Sequence, residues 1–212
     1  NNLDVDFYNY CHDFYYDYAV VQQGRKYGLM NNKFEYVIQP RYSYIGNMSS
    51  NGLVVVWEYG EEDDQTNLPR YGYRNTKGEI MIPCQHSIAY PFVDGYAIVL
   101  NGYWYDCGVS SNSGVINILG EYVIQPNKYN LRYIGGDMFA FLKQCNSGWG
   151  LLSSRGEILS NPVAKVNYIS AVDNELIGVS NAQEKYGYMD FSRNMKIDYQ
   201  FDYVLPFYEG YA

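Results

Sequence analysis

The hexapeptide Glu35-Tyr36-Val37-Ile38-Gln39-Pro40 returns unchanged as Glu121-Tyr122-Val123-Ile124-Gln125-Pro126, 86 residues further on. Between them lies a looser copy, Glu79-Ile80-Met81-Ile82-Pro83. A chain that repeats itself at this interval is built from one supersecondary unit stacked on its own copies, because such a unit cannot bury its apolar face alone. The repeat therefore constrains the fold before any other feature does.

A second element recurs in phase with it, an aromatic residue followed by glycine: Tyr27-Gly28, Tyr71-Gly72, Trp149-Gly150 and Tyr186-Gly187, with Ser113-Gly114 as a degenerate fifth. Seven residues after each glycine stand Glu35, Glu79, Glu121, Glu157 and Asn194. The distance between copies drifts through 44, 42, 36 and 37 residues while this internal offset holds. Fixed spacing inside the unit and variable spacing between units is the pattern of a repeated hairpin with tolerant outer loops.

In the second copy the offset reads as a strand, Tyr71-Gly72-Tyr73-Arg74, a turn, Asn75-Thr76-Lys77-Gly78, and a returning strand, Glu79-Ile80-Met81-Ile82. Gly78 and Gly156 can supply the positive φ that such a turn needs, and Asn31-Asn32 is expected to do so in the first copy. Pro40, Pro83 and Pro126, lacking a backbone donor, are expected to end the returning strands. An apolar strand precedes each glycine pair, as in Leu53-Val54-Val55-Val56-Trp57 and Met138-Phe139-Ala140-Phe141-Leu142; apolar at every position, it predicts burial on both faces. A weaker fourth strand follows the prolines, as in Tyr42-Ser43-Tyr44-Ile45.

The expected fold class is all-β, with tandem repeats of three to four short antiparallel strands forming a propeller-like or arc-shaped stack; an open β-solenoid array is the alternative. The chain reads as a single β-repeat domain, 1–212, with about five copies near 18–51, 52–94, 95–137, 138–174 and 175–209 and the start of a further copy at 210–212.

The ordered unit of apolar strand, Trp-Gly or Tyr-Gly, Gly-Glu, Ile-x-Pro, Tyr and then Phe-x-x-Gly-Tyr-Ala (Pro91-Phe92-Val93-Asp94-Gly95-Tyr96-Ala97) resembles the WG repeat of bacterial proteins. The resemblance runs from about Tyr18 to Ala212, with Tyr replacing Trp in three copies and the aromatic lost at Ser113. It implies a β-rich module that mediates interactions and has no shared catalytic residues.

Composition narrows the function classes. With 26 tyrosines, a residue of high strand propensity that buries its ring while its hydroxyl stays wet, the chain favours amphipathic strands. A net charge of −8 argues against recognising nucleic acid through phosphates and against docking on anionic lipid. No apolar run is long enough for membrane insertion. The chain begins Asn1-Asn2-Leu3-Asp4, without an export signal or an initiator Met, which reads as a trimmed or mature form and leaves the compartment open.

No catalytic residue, metal site or cofactor is expected. The four cysteines, Cys11, Cys84, Cys107 and Cys145, form no C-x-x-C pair and read as free, mostly buried thiols. Of the two histidines, His86 stands where other copies put Tyr42 and Phe201 and reads as a semi-buried aromatic stand-in. Cys11 and His12, adjacent in sequence, would point to opposite faces of a strand. The acidic run Glu61-Glu62-Asp63-Asp64 lacks the spacing of a calcium loop and reads as a solvated face. Tyr27, Tyr71, Trp149 and Tyr186 are expected to pack over the glycines of their own units. That leaves aromatics near loops and strand ends as candidate binding residues: Tyr103, Trp104, Tyr105 and Tyr59. Rigid exposed rings of this kind anchor proteins and stack on sugars, so the expected partner is a protein or peptide, with a glycan or cell-wall polymer as the alternative.

Overall fold

A computed structural model describes residues 10–11, 13–59, 69–102, 112–127, 129–143, 148–163, 168–173, 176–181, 183–190, 192, 194–205 and 211. Among them, twenty strands form five four-stranded sheets, each in strict sequence order. The first sheet comprises β1 (Tyr10–Cys11), β2 (Tyr18–Gln23), β3 (Lys26–Asn31) and β4 (Tyr36–Tyr42). The second comprises β5 (Tyr44–Ile45), β6 (Leu53–Tyr59), β7 (Pro69–Asn75) and β8 (Ile80–His86), and the third β9 (Ile88–Ala89), β10 (Tyr96–Leu100), β11 (Ser113–Asn117) and β12 (Tyr122–Asn127). The fourth comprises β13 (Asn130–Gly135), β14 (Met138–Leu142), β15 (Trp149–Ser153) and β16 (Ile158–Val163), and the fifth β17 (Tyr168–Asp173), β18 (Leu176–Ser180), β19 (Tyr186–Asp190) and β20 (Met195–Phe201). The all-β class and its tandem units of short antiparallel strands are those the repeat predicts. The sheets, however, are framed seven or eight residues upstream of the sequence units: the short strand after each proline opens the next sheet, as β5 pairs with β6 through Tyr44↔Trp57 and Ile45↔Val56.

The chain divides into two compact units, Asn1–Asn101 with Ile116–Glu121, and Gly102–Val115 with Tyr122–Ala212. In the first, sheets one and two bury Val20, Leu29, Ile38, Tyr42, Ile45, Met48, Val54 and Val56 against one another. In the second, sheets four and five bury Ile134, Met138, Ala140, Leu151, Ile177, Val179 and Met189. Leu53, Val54, Val55 and Val56 of β6 are all buried, as an unbroken apolar strand requires. On the face away from sheet one, Tyr73 packs on Phe92 with ring centroids 4.7 Å apart and donates its hydroxyl to the Tyr90 carbonyl at 2.7 Å. Among the described residues no helix is long and apolar enough to cross a membrane.

The prolines do not end the returning strands; β4, β8, β12 and β16 run through Pro40, Pro83, Pro126 and Pro162. The reason is a bulge. Two steps along β3, Tyr27 to Leu29, correspond to four along β4, Ile38 to Tyr42, and β7 with β8 and β19 with β20 do the same. A bulge leaves residues out of the ladder, so a proline there costs no interstrand bond. The bulged backbone folds down onto the glycine opposite. A Cβ on Gly72 would stand 2.6 Å from the Ile82 carbonyl oxygen and 2.7 Å from Cys84 N, and one on Gly28 would stand 2.6 Å from the Ile38 carbonyl oxygen. What covers the glycine is thus the returning strand, not the preceding aromatic, whose side chain points to the opposite face.

The turn explains the fixed glutamate. Asn75 Oδ1 accepts from the Lys77 and Glu79 amides, both at 2.9 Å, while its Nδ2 donates to Glu79 Oε2 at 2.6 Å. Asn31 with Glu35 and Asn117 with Glu121 repeat the arrangement. In the last copy the two groups are exchanged, Asp190 accepting from the backbone and side-chain amides of Asn194 at 2.8 and 3.2 Å. The positive φ falls on Gly78 (+77°) and Gly156 (+79°), but in the first copy on Phe34 (64°) rather than on Asn31-Asn32. Asn31 instead supplies the side-chain acceptor that closes the turn.

Because the atoms facing Gly72 are backbone and cannot swing aside, Gly72→Ala is expected to lower stability by about 3 kcal/mol. Gly95→Ala, where φ is +84° but nothing lies within 4 Å, should lose about 1 kcal/mol. Urea denaturation of both variants checks this; equal losses would mean that the close approach contributes nothing.

Candidate functional site

Across sheet two, Tyr44, Trp57 and Tyr71 stand directly opposite one another on β5, β6 and β7, and directly opposed residues share a face. The Trp57 and Tyr71 rings lie 6.2 Å apart, and those of Tyr71 and Tyr44 6.4 Å apart. Tyr27, from the start of β3, joins them with its ring 6.5 Å from Tyr44 and tilted by 56°. Tyr44 is exposed and the other three are half-buried, so the row is partly open to solvent. Burial, and then the neighbouring Tyr44 hydroxyl, raise the Tyr71 pKa and keep its phenol protonated. The row is an aromatic shelf that crosses β5, β6 and β7 and reaches the start of β3.

Behind the shelf, on the face of sheet two turned to sheet one, lies a polar cluster. Arg74 is only 3% exposed, yet it stands two residues after the repeat glycine, where the other copies place Met30, Ile116, Leu152 and Met189. Its Nε donates to the Tyr42 hydroxyl at 2.8 Å, Nη1 to the Tyr73 carbonyl at 3.4 Å and Nη2 to Glu58 Oε1 at 3.0 Å. Arg41 donates to the same Tyr42 hydroxyl at 2.6 Å from the solvent side, with its guanidinium 4.8 Å from the ring centroid. Cys84 Sγ donates to Glu58 Oε1 at 3.2 Å. Burial first, then the hydrogen bond and charge of Glu58, push this thiol up to about 12 against the pull of Arg74. Held as a protonated donor, Cys84 is a poor nucleophile.

His86 closes the tyrosine row on β8, opposite Tyr71. It occupies the register position of Tyr42 and Phe201, as the repeat predicts, but is fully rather than partly buried, at 1% exposure. Nδ1–H donates to Asn101 Oδ1 at 2.9 Å. Burial pulls the His86 pKa below 6.5, partly offset by that bond.

Of the candidate binding residues, Tyr103, Trp104 and Tyr105 lie outside the described residues, as do His12 and the acidic run 61–64. Tyr59 ends β6 opposite Pro69, and its side chain too lies outside the described residues. Reading the sequence missed Tyr27, Tyr44 and Trp57 as a group, because only the strand pairing brings them together. It also missed Arg74, although a signal was present: the one charged residue at a repeat position that is otherwise apolar. No group of three or more His, Cys, Asp and Glu side chains able to hold a metal occurs among the described residues.

WG-containing repeats match the chain at residues 8–27, 27–56, 71–104 and 186–212, together more than half of its length. The chain belongs to the WG-repeat family. The matched segments take in Tyr27, Tyr44 and Tyr71 of the shelf, with Arg41, Arg74 and Cys84; Trp57 and Trp149-Gly150 lie outside them, although sheet four keeps the same strand order. No curated protein matches the chain. Among solved structures it is similar to BamB from Moraxella catarrhalis, at 11% identity over 87% of this chain and 58% of that one, with a TM-score of 0.46. It is also similar to the WD40 β-propeller domain of Doa1, at 12% identity over 88% and 66% with a TM-score of 0.42, and to a protein of unknown function from Bacteroides caccae, at 9% over 85% and 77% with a TM-score of 0.38. The chain thus spans about three fifths of the length of the BamB structure.

Returning Arg74 to the residue its sister WG repeats carry tests the cluster. Arg74→Met should hold or raise stability by about 1 kcal/mol, since a buried cation is replaced by an apolar side chain and Glu58 can rehydrate. Glu58→Gln should instead cost about 1–2 kcal/mol, less than in a fully buried pair because Glu58 is half exposed. Guanidinium midpoints decide it; a large loss in Arg74→Met would show that the pair itself supports the fold. A second test concerns pH. The folded-state pKa of His86 lies below the unfolded 6.5, so its contribution is present above that value and lost as pH falls through 6.5 towards the depressed pKa. His86→Phe, the residue of the last copy, should flatten the dependence of the urea midpoint on pH over that window, and an unchanged slope would assign the dependence elsewhere.

Proposed function

We propose that this WG-repeat chain is a non-catalytic scaffold that binds another protein or peptide through the tyrosine shelf of its first unit. The observation that carries the reading is the row Tyr27, Tyr44, Tyr71 and Trp57, partly exposed tilted rings spaced 6.2–6.5 Å apart. Tyr and Trp present large rigid contact area with few rotatable bonds, which is why they dominate the energetics of protein interfaces. Tilts of 56° and 62° along the Tyr27–Tyr44–Tyr71 steps make notches that suit side chains better than a flat sugar stack. The polar cluster behind the shelf supports a non-catalytic role, since its thiol is held protonated and its carboxylate is tied to Arg74.

A peptide array probed with the labelled chain tests this. Peptides retained by the native chain should bind about tenfold less tightly to a Tyr44→Ala, Trp57→Ala variant that keeps its circular dichroism. Undiminished retention would remove the shelf from the binding site, and retention of glycans but of no peptide would favour the carbohydrate alternative.

A further inference from the structure

One end of sheet one carries three cations and, among the described residues, no carboxylate. The sheet's described carboxylates lie at the β3–β4 turn end, where Asp17 accepts from Asn32 and Glu35 from Asn31. Lys33 shares that turn, whereas the other three cations of the sheet lie at the opposite end: Arg25 in the β2–β3 turn, Lys26 at the start of β3 and Arg41 near the end of β4. All three are exposed, and none meets a carboxylate among the described residues. Lys26 immediately precedes Tyr27, and Arg41 rests on Tyr42, which is paired with Tyr27. Among the described residues, Glu58 is the acid bonded within the neighbouring polar cluster, and it is paired with Arg74. The buried Arg74 also places its Nε on the very hydroxyl that Arg41 contacts, so two guanidiniums meet there and, among the described residues, one carboxylate pairs with them.

We infer that the partner of the tyrosine shelf is an acidic peptide segment, its apolar side chains in the notches between Tyr27, Tyr44 and Tyr71 and its Asp or Glu carboxylates on Arg41, Lys26 and Arg25. This rests on the proposed binding role and adds the partner's chemistry. The guanidinium of Arg41 leaves most of its donors free, and a carboxylate matches that fork. The chain as a whole carries −8, so the preference for acid is local to this end and opposes the long-range field. A site selected only by net charge would favour the opposite ligand.

The test uses an array of matched peptide pairs that differ only by Glu→Gln, probed with the full chain. The acidic member of each retained pair should be held about fivefold more tightly, with the advantage shrinking as salt is added. Arg41→Gln should reduce that advantage, and Arg25→Gln with Lys26→Gln should remove the rest. The fold should tolerate the first change because Gln85 and Gln200 occupy the same place in the second and fifth copies. If both members of each pair are retained equally, the inference fails while the peptide-binding reading stands. If the native chain retains no peptide at all, both fail. If heparin is retained as strongly and lost in the same variants, the end is a polyanion site and the acidic-peptide assignment is overturned.

Discussion

The close passage of the returning strand over a glycine, seen at Gly28, Gly72, Gly114 and Gly187, is the contact on which the rest of the architecture depends. In sheet two, the backbone from Ile82 to Cys84 lies so near Gly72 that no side chain can be accommodated. The bulge that brings it there uses two extra residues of β8 and turns the strand end, so that Tyr71 faces His86 two residues beyond the proline-centred fold. The same geometry sets Tyr27 against Tyr42 and Tyr186 against Phe201. A bulge increases local twist and disrupts an edge, which disfavours pairing of β4, β8, β16 and β20 with another chain.

The constant offset of seven residues follows from that contact and from the turn. Three residues carry β7 from Gly72 to Asn75, and four more close the Asn75–Glu79 loop, where one amide side chain satisfies two backbone donors and a carboxylate. Hydrogen bonding, not charge, is what the loop needs. The last copy shows this by placing the acid at Asp190 and the amide at Asn194 with the bonds preserved. The repeated glutamates are accordingly turn residues, and their recurrence in sequence carries no catalytic meaning.

Much of the fold was legible because strand, turn and glycine spacing are local. The strand frame was not. A two-residue strand such as β5 has no periodicity to detect, and its allegiance to β6 is set by pairing with Trp57 and Val56 rather than by its own sequence. Phe34 misleads for another reason: a bulky residue with positive φ is uncommon, and in this copy its exposed ring meets Phe14 edge-on at 6.5 Å where the second, third and fourth copies use glycine. The shelf was half legible. Aromatic residues at strand ends pointed to binding, but Tyr44 and Trp57 become neighbours of Tyr71 only across strands, and the loop aromatics Tyr103, Trp104 and Tyr105 stand outside the described residues.

Arg74 is the departure that links fold to function. Its sister positions, Met30, Ile116, Leu152 and Met189, show that the packing at this point is satisfied by an apolar side chain. A buried guanidinium there loses its hydration, and the half-exposed Glu58 offsets that loss only in part, so stability alone gives no reason for it. What the arginine does is hold Tyr42 by its hydroxyl and Glu58 by its carboxylate, one on each of the two sheets that carry the tyrosine shelf. Among the described residues Glu58 pairs with Arg74, and Arg41 meets no carboxylate. The Arg74 side chain thereby fixes the spacing of the two sheets beneath the shelf. A purely apolar residue would fill the space without doing so.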